Sequence, residues 1–176
     1  MLKDYCKILT DEAQVTISIQ LIKIILPVWN DYFKNNPAKL KKFKSLITDE
    51  NNTPGDPHGI DIDLPENTLS EIEKAISAGK NLNKNIKLKR RFETFLEPLT
   101  IEKWNKLFPE SVRLVFTSVF NLLSFLIIER LTPDNETHIY VSINMACDVI
   151  LRENIMDKSE LELMLLEYKD HKALKN

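Results

Sequence analysis

Residues 112–128 read VRLVFTSVFNLLSFLII, and the fold turns on whether this stretch crosses a membrane or fills a core. Its least polar part, Leu114 to Ile128, is 15 residues long. That makes about 22 Å of helix at ~1.5 Å per residue, whereas a bilayer core asks for about 20 apolar residues. Asn121 stands in the middle, and Arg113, Glu129 and Arg130 close the ends. The stretch is therefore read as the central helix of a protein core, running from Pro109 to about Leu131, and no membrane partner is expected.

Working outward, the periodicity is helical almost throughout. Downstream, Thr132-Pro133-Asp134 supplies a cap, a first-turn proline and a dipole partner for a helix reaching about Glu153. Asp157-Lys-Ser-Glu160 opens a last helix with Leu161, Met164 and Leu165 facing in. Upstream, Thr100 caps a short helix through Phe108. A basic helix over 83–97 precedes it, with Ile86, Leu88, Phe92, Phe95 and Leu96 as its apolar residues and Pro98 at its end. Thr68-Leu-Ser-Glu71 has the form of a capping box, and the helix it starts stops at Gly79.

At the N-terminus Thr10 caps a helix whose first turn holds Asp11 and Glu12, and whose apolar set is Ile17, Leu21, Ile24, Ile25 and Val28. Pro27 lacks a donor N–H and is expected to kink or split this helix near Leu26. The pattern resumes with Trp29, Tyr32 and Phe33 and stops at Asn35-Asn36-Pro37. Ala38 to Ile47 then form a short amphipathic helix with Leu40, Phe43, Leu46 and Ile47 on one face.

The expected architecture is thus all-α: one bundle-like domain over 1–176, with seven or eight helices around the 110–131 helix and an acidic loop at 48–67. An N-terminal helical hairpin joined through that loop to a C-terminal bundle is the alternative. The composition agrees with a globular chain: 43% hydrophobic, 28% charged, net charge −2 over 176 residues. Near-neutral charge gives no global attraction to nucleic acid or anionic lipid. Three glycines argue against glycine-rich phosphate cradles. Cys6 and Cys147, far apart and outside any CxxC, read as reduced residues of a cytoplasmic protein. The charged start MLKDYCKILTDEAQ has no signal core.

Chemistry is concentrated only in GDPHGIDIDLP, residues 55–65. Asp56, His58, Asp61 and Asp63 are the right donor types for a divalent cation. No closing glutamate completes a calcium-loop frame, and His58 has no i, i+4 histidine. Asp-Pro and Gly steps explain the same letters as a turn, so no metal or cofactor is expected. His138 reads as a surface or capping residue near a helix start, and His171 as a partner of a negative helix end. No GxSxG, HExxH or P-loop is present, and Cys147 reads as a small core residue.

The charges are ordered more sharply. Residues 49–73 carry eight acids and no base, and residues 74–91 carry seven bases and no acid. Folding side by side, the two blocks neutralise each other in part. Left open, the acidic one steers a basic partner. Lys87 to Arg91 offers a phosphate-binding cluster, without the interleaved aromatics that nucleic-acid surfaces use.

Ile25-Leu26-Pro27-Val28-Trp29, then Asp31, Tyr32, Phe33, Asn36 and Pro37 ahead of a basic amphipathic helix, resembles the opening of helical bacterial immunity proteins of polymorphic toxin systems. The resemblance covers about residues 15–47. It implies a non-enzymatic protein that binds and blocks a cognate secreted toxin. The expected function is protein binding, with Asp56, His58, Asp61, Asp63 and Glu66 as partner-facing residues. A metal-dependent helical enzyme using the 56–63 loop, and a nucleic-acid-associated subunit using Lys87 to Arg91, are the alternatives.

Overall fold

In a computed structural model, residues 9–41, 62–80, 82, 86–96, 100–127 and 133–172 are described. Among them are eight helices and no strand. In chain order these are α1 (Asp11–Asn35), α2 (residues 37–41), α3 (Leu64–Ser77), α4 (Ile86–Leu96), α5 (Ile101–Leu107), α6 (Glu110–Ile127), α7 (Pro133–Arg152) and α8 (Lys158–Lys172).

The 112–128 stretch earns its central place. In α6, Val112, Val115, Phe116, Val119, Leu122, Leu123, Phe125 and Ile127 are all buried, and α1, α3, α4 and α7 all pack against it. Residues 128–132, the expected end of this helix and the cap of the next, lie outside the described residues. α1 and α6 are each long and apolar enough to cross a membrane by length and composition alone. Here 50% of the apolar window of α1 and 61% of that of α6 are buried inside the protein.

α6 and α7 run antiparallel. The start of α6 meets the end of α7 through Glu110 and Arg152, whose Oε2 and Nη1 are 2.9 Å apart. Further along, Ser118 meets Ser142, and Asn121 Oδ1 lies 2.9 Å from His138 Nδ1. The surface reading of His138 is thereby refined: the half-buried ring ties α7 to a buried asparagine of α6. Asp148 and Arg152 form the expected i, i+4 pair at 2.9 Å. The hydrogen bond and charge of Asp148, with Glu110 beyond, raise the Arg152 pKa above its ordinary value.

Where α1, α6 and α7 meet, the core is small and polar. Ser18, Ser118 and Ser142 are fully buried. The Ser118 hydroxyl donates to the Ser142 carbonyl and the Ser142 hydroxyl to the Ser118 carbonyl, both at 2.8 Å. With its proton so engaged, Ser142 Oγ accepts from Ser18 Oγ at 2.7 Å. Serines occupy little volume, which lets the helices approach closely. Their hydroxyls use the spare lone pairs of helix carbonyls, so each buried polar atom here is satisfied.

Around this junction sit aromatic rings. Trp29 is fully buried, with ring centroids 4.7 Å from Phe33 and 5.5 Å from Phe116. Phe92 of α4 docks on Phe116 and Phe120 at 4.8 and 5.7 Å. Trp104 of α5 approaches Phe108 and Phe116 at 4.6 and 5.4 Å. Such tilted pairs at these separations add to what burial alone supplies.

The caps explain the boundaries. Thr10 and Thr100 accept from Ala13 N and Lys103 N at 3.3 and 3.2 Å, as their positions predict. At α8 the Asp157 and Glu160 carboxylates each accept the other residue's backbone N–H at 2.9 Å, a reciprocal capping box. α3 ends on Gly79, whose φ of +62° is open to glycine without strain. There Gly79 N donates to Ile76 O and Lys80 N to Ala75 O.

Two boundaries depart from expectation. α1 is not split: it runs unbroken through Pro27 to Asn35. Pro27 and Lys23, one turn before it, both lie on the exposed side. The Lys23 carbonyl that loses its amide donor is thus on the side water can reach, and burial of Leu21, Ile22, Ile25 and Trp29 holds the opposite face. The second departure is at α3, which starts at Leu64, not at the Thr68 box, so the loop expected at 48–67 gives up its last four residues to helix. Pro65 in the first turn needs no N–H and pre-sets φ, while Leu64 is buried. Thr68 is pulled inward by this start and its Oγ1 makes no hydrogen bond among the described residues.

Candidate functional site at the start of α3

Of the five expected partner-facing residues, Asp56, His58 and Asp61 lie outside the described residues. Asp63 and Glu66 are described, and both are exposed. They stand together on the rim of a small cleft of about 70 Å³ between α1 and the first turn of α3. Trp29, Asn30, Phe33, Lys34 and Ile62 complete its lining.

The cleft is built from the core outward. Trp29 belongs to the buried face of α1, yet its indole N–H needs an acceptor in the interior. It donates to the Ile62 carbonyl at 2.7 Å. That bond fixes the backbone one residue before Asp63, which occupies the N-cap position of α3 with its carbonyl accepting from Asn67 N at 2.8 Å. One turn on, Glu66 Oε2 accepts from Asn30 Nδ2 at 3.3 Å. Asp63 and Glu66 both sit at the positive end of the helix dipole, where negative charge is stabilised.

A second long-range bond holds α1 outside the cleft lining. Tyr32 Oη donates to the Leu107 carbonyl at 2.8 Å, and Lys39 Nζ lies 5.1 Å above the Tyr32 ring. Lys34 is an exposed cation on the rim. The cleft therefore sets two carboxylates and one ammonium over an aromatic floor. Among the described residues no group of three or more His, Cys, Asp or Glu side chains could hold a metal.

The charge blocks do meet in part. Glu71 of α3 lies 3.6 Å from Arg91 of α4, and Glu73 pairs instead with Lys23 of α1 at 2.5 Å. All four side chains are more than a third exposed, so solvent screens both pairs and each contributes only about 0–1 kcal/mol. Lys87 and Arg90 are exposed on α4. Cys147 is buried on α7 as expected, and Cys6 lies outside the described residues.

Sequence reasoning named the acidic rim and missed the floor. Trp29 stood out as a core residue, but the acceptor for its N–H is 33 positions away, and no local pattern announces such a bond. Asn30 and Lys34 carry no local signal that marks them. No protein-family model, curated protein or solved structure matches the chain.

Proposed function

We propose that this chain is a non-enzymatic binding module that engages another protein through the acidic edge opening α3. Its partner would be a secreted toxin that it neutralises, as the resemblance of residues 15–47 to helical immunity proteins suggests. The observation that supports a binding role is the Trp29–Ile62 clamp. It places Asp63 and Glu66 on a backbone already fixed by the core, so presenting them to a partner costs little further ordering. Carboxylates held in this way steer encounter with a basic surface and select against acidic ones.

The test begins with the protein gently captured from its own cells and weighed by native mass spectrometry. A single stoichiometric protein partner that arrests growth when produced alone supports the reading. A bare chain carrying a tightly held metal ion overturns it. With the partner in hand, Asp63→Asn with Glu66→Gln is expected to slow association by about tenfold at low salt and to flatten its salt dependence. Unchanged kinetics would remove this edge from the interface.

A further inference from the structure

α8 divides its leucines between two faces. Leu161 and Leu165 are buried, with Met164 and Tyr168 packed beside them, and α8 rests chiefly on α1. Leu163 and Leu166 point the other way and are 62% and 50% exposed. At about 100° per residue these two lie ~60° apart, and both stand at least ~140° from Leu161. They form one outward stripe, set against an inward one that already satisfies the fold.

Carboxylates border this stripe on both sides. Glu162 flanks Leu166 on one edge, and Glu160 and Glu167 flank Leu163 on the other. Lys158 opens the helix 3.9 Å from Glu162; by the same period Lys169 takes a position beside Glu162 and Asp170 one between the rows of the two leucines, so acids outnumber bases along the border. The capping box fixes the first turn, so the stripe starts from a defined register.

We infer that the outward face of α8 is a docking surface for a basic amphipathic helix of a partner protein. Charge selects this occupant among the three that an apolar stripe could take. A second copy of the chain would bring its own Glu160, Glu162 and Glu167 against these, like charge facing like. A bilayer surface presents anionic headgroups, which the same carboxylates repel. A helix whose apolar stripe is bordered by Lys and Arg meets both the leucines and the rim. This face is distinct from the acidic edge of α3, and the inference stands whether or not that edge is used.

The test uses the full chain and two fluorescent model peptides with the same leucine stripe, one bordered by lysine and the other by glutamate. Anisotropy titrations are expected to show binding of the lysine peptide, weakening as salt rises, and none of the glutamate peptide. Leu163→Glu with Leu166→Glu should weaken the lysine peptide by at least about tenfold. Glu162→Lys with Glu167→Lys should reverse the preference between the peptides, an outcome no merely structural role would produce. Circular dichroism and thermal melting of each variant confirm that it remains folded. Equal binding of both peptides, or no binding of either, overturns the inference. So does a concentration-dependent dimer, or flotation with anionic vesicles, that the leucine replacements abolish. None of these outcomes bears on the α3 edge, whose association kinetics are read separately.

Discussion

The junction of α1, α6 and α7 and the helix α8 use similar residues to opposite ends. At the junction the apolar side chains turn inward and the serine hydroxyls bond one another and the backbone across the helices. On α8 the leucines divide between a buried stripe and an exposed one. The first region leaves little apolar area and little hydrogen-bonding capacity unspent. The second keeps apolar area in reserve. Stability is therefore concentrated in the junction, and α8 carries surface whose loss the fold does not register.

That contrast can be broken most forcefully at Trp29. Trp29→Ala removes the ring shared by Phe33 and Phe116 and strands the Ile62 carbonyl. A loss of about 3–5 kcal/mol is expected in urea unfolding, with the start of α3 gaining fast hydrogen exchange. Next comes Ser142→Val, which adds volume where helices approach and takes away the acceptor of Ser18. Here about 1–3 kcal/mol should be lost; a neutral result would mean that the serine junction is loosely packed after all.

Thr68→Val sharpens the comparison in the other direction. The Thr68 hydroxyl is buried without a hydrogen bond among the described residues. Exchanging it for a methyl of like shape should raise stability by about 1 kcal/mol, read as an increased midpoint in the same titration. Smallest of all, Leu163→Glu should change stability by no more than about 0.5 kcal/mol. A larger loss would show that the outward stripe of α8 serves the fold.

Much of the architecture was legible because it is local. The 3.6-residue period identified α6 as a central helix before any contact was known, and Thr10, Thr100 and Asp157 announced helix starts through bonds that span three residues. Where two local signals competed, the sequence misled. Thr68 and Glu71 have the spacing of a capping box, yet α3 starts at Leu64 because burying that leucine and seating Pro65 in the first turn outweigh the box. At Pro27 the missing donor pointed to a kinked or split helix, and with an apolar face buried on both sides of it α1 is not split.

The candidate site divides along the same line. Asp63 and Glu66 were marked by the run of acids to which they belong, since charge order is visible in a string of letters. The clamp that holds them was not, because the Trp29 N–H and the Ile62 carbonyl meet only when α1 and α3 pack. The sequence by itself determined an all-helical chain, its central helix and most of its caps, through interactions that close within one or two turns. The tertiary structure alone decided that three serines would join α1, α6 and α7, that an indole would fix the acidic edge, and that α8 would leave two leucines outside. Each depends on which helix faces which, and that is settled by burying apolar area across distances along the chain that no local period encodes.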